Sequence, residues 1–348
     1  MAPPLHDIVI IGAGVAGLTL ARELRRRGHA PVVLERSRGV GGRCATRRVD
    51  GVPVDHGVPF LHGHTDAFIA ELANIPGEPL DGWPFRIEGD GTPCRPEAFR
   101  AHAHRRAVVE GVNRFAKQLA IGSDVWTEAR VVSIEGPAGV AGVWALTLAD
   151  GREVRARTLV TAVPPPSART LLSTASNLPA DVTGLLPVLA LVPMIACLAV
   201  IARYREGTPA PPWHMAFPRE SAAVHSVSVE SSKHRPQPGH TLVIQARAPW
   251  SRARVATAPE SWAPSLLDEA AARYGTWIGT PASFQGHAWR HARVAPGCEL
   301  TQPLLVESAT GTRFGCVGDG FHPAGGVEGA YLSGLMLAAR LDRLHDRH

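Results

Sequence analysis

Asp7-Ile-Val-Ile-Ile11-Gly12-Ala-Gly14-Val-Ala16-Gly17 is the stretch that decides the fold. A short apolar strand runs straight into Gly-x-Gly-x-x-Gly. Leu18 to Arg27 then reads as a helix stopped by Gly28, and Pro31 to Glu35 as a second apolar strand ending in an acid. Together they form a β-α-β unit of about thirty residues. Each glycine has a physical role. Gly12 makes the tight turn, Gly14 lets the backbone approach a pyrophosphate, and Gly17 lets helix and strand pack closely. The helix N-terminus offers unpaired N–H groups to phosphates. Glu35 is placed for both hydroxyls of an adenosine ribose, with Arg36 directly after it.

Outward from this unit, Gly39-Val-Gly41-Gly42-Arg43 adds a second glycine loop and an arginine, which suit a long dinucleotide. Near the other end, Val317-Gly318-Asp319 and Gly325-Gly326-Val327-Glu328-Gly329-Ala330 lead into a long helix, Gly329 to Leu344. Thr161-Ala162-Val-Pro-Pro ends another buried strand. Ala45 to Val49 and Val52 to Val54 flank Asp50-Gly51, a hairpin turn, and Asp150-Gly151 makes a second one. Val125 to Glu135, Val224 to Val229 and Thr241 to Arg247 read as strands; Ala107 to Ala120 and Ser265 to Tyr274 read as helices.

Composition closes off other classes. The 348 residues are 45% hydrophobic and 19% charged, too apolar for disorder and too poor in charge for coiled coils. The formal net charge is +5, and among 36 basic side chains only Lys117 and Lys233 are lysines. No dense basic tract is present, so no nucleic-acid partner is expected. Cys44, Cys94, Cys197, Cys298 and Cys316 form no Cys-x-x-Cys pair, which suits a reducing, cytoplasmic setting. Leu185 to Ala202 is an unbroken apolar run, but Pro187 and Pro193 interrupt it. It reads as a turn followed by a buried strand, Met194 to Ala202, and not as a membrane span. His56, His62, His64 and Asp66 read as a polar loop and not as a metal site, and no metal is expected. No hydrolase nucleophile pattern appears.

The Gly-Gly-Arg extension resembles the two-dinucleotide-binding-domain flavoproteins of the flavin amine oxidase superfamily, and points to FAD. Within it the chain resembles the renalase-like proteins at four stretches: Ser37 to Arg43, Asp55-His56-Gly57, His287-Ala-Trp289-Arg290-His-Ala292, and Gly318 to Gly334. The resemblance implies an α/β fold: a Rossmann-type FAD-binding domain (1–75, 104–165, 286–348) with an inserted substrate domain on an antiparallel sheet (76–103, 166–285). It implies non-covalent FAD. The cofactor residues are Gly12, Gly14, Ala16, Gly17, Glu35, Arg36, Gly41, Gly42, Arg43, His56, Gly57, Val58, Val131, Ala162, Gly318, Asp319, Gly326, Val327 and Glu328.

The implied reaction is hydride transfer from a small molecule to flavin N5, with dioxygen as final acceptor. By this resemblance the donor is an isomeric dihydronicotinamide dinucleotide, NAD(P)H. Phe60 and Trp289 wall its pocket, Gln245 makes a polar contact, and Arg290 meets a carboxamide or phosphate. Amine-oxidising relatives carry a lysine on the substrate-domain strand where this chain has Ala196 or a neighbour, which ranks an amine donor second. An amine oxidase or desaturase, or a non-enzymatic member of the fold, are the alternatives. A monomer or homodimer is expected.

Glu35→Ala should lose FAD by removing two charge-assisted hydrogen bonds of about 1.5–3 kcal/mol each, roughly 2–4 kcal/mol in total once water replaces part of them. Gly14→Val should abolish binding sterically. Titration of the deflavinated variants with FAD checks both, and a fully loaded Gly14→Val protein would show that the fingerprint is misplaced.

Overall fold

In a computed structural model of the chain, the opening motif folds as the strand Leu5–Ile11 followed by the helix Val15–Arg26 and the strand Val32–Leu34. The structure describes residues 3–89, 91, 93, 96–100, 104–138, 142–235, 237–308 and 311–345. Cys94 lies outside them. The chain divides into two compact units, 1–42 with 116–194 and 293–348, and 43–115 with 195–292.

The first unit is a doubly wound sheet. Leu5–Ile11 pairs in parallel with Val32–Leu34 on one side and with Glu153–Thr161 on the other. Asp124–Trp126 and Arg313–Cys316 extend the parallel array at its two ends. Ile8, Val9 and Ile10 are fully buried, as expected of a strand covered on both faces. Trp144 is buried in this core, and its Nε1–H donates to the Arg313 carbonyl at 3.0 Å.

The second unit is built on a mostly antiparallel sheet. Its strand order is Ser283–Val294, Met194–Tyr204, His240–Ala246, Val224–Val229, Met215–Ala216 and Ile87–Glu88. The helix Ala263–Tyr274 packs on it through Leu266, Leu267 and Ala270. A hairpin, Thr46–Val49 and Val52–Asp55, turns at Asp50 and Gly51, both with positive φ, as a two-residue turn requires. Val49 and Val54 pack with Ile201 and Val243 of the large sheet.

Several expectations are corrected. Ala107 to Ala120 is not one helix: the strand His104–Val108 precedes the helix Asn113–Leu119. An apolar Ala-Val-Val run has no period that separates strand from helix. Val125 to Glu135 is two strands, Asp124–Trp126 and Val131–Ala138, with Glu128 between them at φ 57°. In the apolar run 185–202 the expected strand is present as Met194–Tyr204, and a short helix, Leu185–Ala190, replaces the expected turn before it. Among the described residues no helix is long and apolar enough to cross a membrane. By compactness alone, residues 43–115 group with the second unit and 116–194 with the first.

Gly12 adopts φ +108°, and a Cβ on Gly17 would lie 2.1 Å from the Gly12 carbonyl oxygen. Backbone cannot yield there as a flexible side chain can. Gly17→Ala should therefore lower the unfolding midpoint of the FAD-free protein by an amount equivalent to about 1–3 kcal/mol, measured by thermal denaturation. An unchanged midpoint would contradict this packing.

Candidate active site

The two glycine loops of the first unit meet. The Gly41 N–H donates to the Ala13 carbonyl at 2.8 Å, and Gly14 and Gly41 form a β-bridge. A Cβ on Gly14 would meet nothing within 4 Å, and one on Gly42 would reach only the Gly14 Cα, at 3.5 Å. The helix after Gly14 has no side-chain cap, so its first N–H groups face this open backbone cradle unspent. A cradle without side chains beside a helix N-terminus fits a pyrophosphate.

Glu35 does more than its sequence position suggests. It is buried, its Oε2 accepts the Ala13 N–H at 2.9 Å and its Oε1 the Ser37 N–H at 2.8 Å. The carboxylate thus ties the two loops together, and each oxygen keeps a lone pair for a hydroxyl. Arg36 is exposed, and Val131 is half-buried against the core. The Ala129 N–H donates to the Glu35 carbonyl at 2.8 Å, which brings this strand entry beside the acid. Ala162 N–H donates to Ile11 O at 2.8 Å, and the Ala162 methyl lies against the Gly17 position. Gly318, N–H on Ser333 Oγ at 3.1 Å, precedes buried Asp319. The helix Gly326–His345 begins with half-buried Gly326 and Val327 and buried Glu328.

In the second unit the segment after Asp55 is held closely. A Cβ on Gly57 would sit 2.2 Å from the Arg43 carbonyl oxygen, which also accepts the Val58 N–H at 3.2 Å. Trp289 Nε1–H donates to the His56 carbonyl at 3.0 Å, and Gln245 Nε2 to the Gly57 carbonyl at 2.7 Å. Both side chains position the backbone of residues 56–57. The His56 ring lies 5.0 Å from that of His287 and 5.4 Å from that of Trp289, and His287 and Trp289 are 4.2 Å apart. Burial, then the charges of His287 and Arg47, push His56 down to about 4. His287 is lowered by burial and Arg47. The His56 Nδ1 is buried without a hydrogen-bond partner among the described residues.

Phe60 and Arg290 do not share the surroundings of Trp289. Phe60 is buried in an aromatic cluster, 5.9 Å from the Trp83 ring and 5.7 Å from that of Phe99, and acts as core. Arg290 follows Trp289 on the strand Ser283–Val294, so alternation turns it to the opposite face, where it is exposed. Ala196 is half-buried on its strand. No group of three or more His, Cys, Asp or Glu among the described residues is arranged to hold a metal ion. Sequence reasoning missed a buried ionic group, Asp55 with Glu230, Lys233 and Arg235. Burial raises the Asp55 carboxyl, but Lys233 and Arg235 outweigh it and hold it down to about 2. The one signal was a lysine, in a chain with two, within Glu230-x-x-Lys233-x-Arg235.

Residues 88–342 match the family described as flavin containing amine oxidoreductase, and residues 10–72 match an NAD(P)-binding Rossmann-like domain. The chain belongs to the flavin-containing amine oxidoreductase family, and FAD is its cofactor. Flavin-containing monooxygenase FMO GS-OX-like 4 of Arabidopsis thaliana is 34% identical over 151 residues, 41% of this chain and 32% of that one. A putative flavin-containing monoamine oxidase, AofH, of Mycobacterium tuberculosis is 52% identical over 64 residues, 18% of this chain and 14% of that one. The matches thus span about a third or less of these curated relatives. Cyclohexylamine oxidase from Brevibacterium oxydans shares the fold with a TM-score of 0.72 at 17% identity, over 99% of this chain and 100% of that one. A putative protoporphyrinogen oxidase from Exiguobacterium gives 0.72 at 12% identity, over 97% and 99%.

Lowered imidazoles have a consequence for stability. The unfolded chain protonates His56 near 6.5 and the folded chain only near 4. Between these values the unfolded state binds more protons, so stability falls as pH drops from 6.5 to 4. His56→Phe should lose stability less steeply across that window in urea titrations at stepped pH. His287 keeps part of the slope, and an identical slope in the variant would contradict a buried neutral His56.

Proposed function

We propose that the protein is an FAD-dependent oxidase of small amines, with the cofactor held non-covalently. The observation that carries the reading is the His56–His287–Trp289 face, an array of rings in which His56 stays uncharged down to about pH 4. Aromatic faces attract an ammonium, and a protonated imidazole would repel one. The Asp55 charge is taken up by Lys233 and Arg235. The match to the amine oxidoreductase family supports the same substrate class.

On this reading Gly12, Gly14, Ala16 and Gly17 with Gly41, Gly42 and Arg43 hold the phosphates, and Glu35 takes the ribose, flanked by Arg36. Val131 lines the adenosine end. Ala162, Asp319 after Gly318, and the helix start at Gly326, Val327 and Glu328 serve the flavin end, and the resemblance gives His56, Gly57 and Val58 of the second unit a cofactor role as well. When bound, FAD supplies a two-electron acceptor that dioxygen reoxidises. Trp289 and Gln245 fix the carbonyls of His56 and Gly57, and Phe60 backs the segment from the core. Non-covalent attachment is supported by the thiols: burial pushes both Cys44 and Cys316 up to about 12, which leaves them poor nucleophiles.

An isomeric dihydronicotinamide dinucleotide is the second reading, favoured by Ala196, a methyl group where amine-oxidising relatives carry an ammonium. Against it, Arg290 faces away from Trp289 and cannot meet the donor's phosphates there. Anaerobic mixing of the oxidised enzyme with primary amines and polyamines, and separately with dihydro isomers of NAD(P), decides between them. Flavin bleaching by an amine is expected. Bleaching by the isomers alone would overturn the amine reading and promote the second.

A further inference from the structure

A single buried ammonium holds both ends of the segment Asp55-His56-Gly57-Val58-Pro59. Lys233 is fully buried, and its Nζ donates to Asp55 Oδ2 at 3.0 Å and to the Pro59 carbonyl at 2.7 Å. It also meets Glu230 Oε1 at 2.8 Å, while Glu230 Oε2 accepts the Asp55 N–H at 2.8 Å. Arg235 completes the group, donating to Asp55 Oδ2 at 2.7 Å, to Glu230, and to the carbonyls of Val108 and Val109 at 2.9 and 2.8 Å. The other Asp55 oxygen accepts Thr46 Oγ1 at 2.6 Å and the Val112 N–H at 3.0 Å. All four charged side chains are at most 1% exposed. The face of Trp83 lies 4.6 Å from the ammonium.

Two carboxylates and two cations leave this group neutral, and charge balance alone would ask Lys233 only to touch the carboxylates. Instead it spends one of its three N–H donors on an uncharged carbonyl four residues beyond Asp55. A hydrogen bond from a buried cation is stronger and more restrictive than one from a neutral donor.

We propose that Lys233 is a positioning residue: by holding Asp55 and the Pro59 carbonyl together, it sets the backbone geometry of His56-Gly57-Val58 between them. This rests on the reading that gives those three residues a cofactor role. The role is separable from charge balance. Lys233→Met leaves one uncompensated buried carboxylate, whereas Lys233→Met with Glu230→Gln is neutral again, keeps an acceptor for the Asp55 N–H, and still lacks the tie to Pro59.

The test compares both variants with wild type by thermal midpoint, by FAD affinity of the deflavinated protein, and by visible circular dichroism of the bound flavin. Lys233→Met should lose midpoint steeply, and the double variant should recover most of it. Both should bind FAD roughly tenfold more weakly, the effect of one charge-assisted hydrogen bond, with an altered flavin dichroism. A double variant that recovers midpoint, affinity and dichroism together would overturn the positioning role. So would a double variant that stays unfolded, or a Lys233→Met protein matching wild type throughout. Absence of FAD binding by wild type would instead overturn the functional reading on which the inference stands.

Discussion

Four charges buried without exposure to solvent, Asp55, Glu230, Lys233 and Arg235, are the constraint on which the second unit depends. Removing such charges from water costs several kcal/mol per ion, and their mutual attraction offsets this only when the geometry is fully satisfied. Satisfaction here recruits the hairpin through Thr46 and Asp55, the chain entering the helix at Asn113 through Val112, and the strand end through Val108. Segments remote in sequence are thereby locked into one arrangement. Such a group is weak evidence for stability and better evidence for a single defined geometry. Its beneficiary is the short run from His56 to Pro59, which Trp289, Gln245 and Arg43 then grip by main-chain contacts.

The first unit solves the opposite problem. A pyrophosphate needs backbone N–H groups within reach and no side chains in the way. Glycines leave that space, but glycine loops lose the most conformational entropy on ordering. Glu35 offsets part of that cost by accepting N–H groups from the first loop and from the entry to the second. Its charge is therefore structural before any ribose arrives.

The first β-α-β unit and the two Asp-Gly hairpins were legible in the sequence because their signals are local: apolar runs, glycines at fixed offsets, and turn residues between them. The rest was hidden for identifiable reasons. The tie between Lys233 and Asp55 is hidden because the partners lie 178 residues apart, a distance at which charge pairing leaves no pattern. Arg290 looked like a neighbour of Trp289 in the pocket, but on a strand the adjacent residue is the one that faces away. The resemblance sets Phe60 at a pocket wall, whereas its aromatic neighbours Trp83 and Phe99 come from another part of the chain. Gln245 was expected to contact substrate. Its amide is engaged by the Gly57 carbonyl, a contact only the register of its strand could reveal.

An open glycine cradle fits a dinucleotide cofactor, and the burial of the Cys44 and Cys316 thiols supports the proposal that it is held without a covalent link. Flavin content of the purified protein, followed through acid precipitation, tests this most directly. A yellow protein with about one FAD per chain is expected, as one cradle per chain requires, with all the flavin released into the acid supernatant. A colourless protein that takes up no FAD, or a precipitate that keeps its yellow colour, would contradict it.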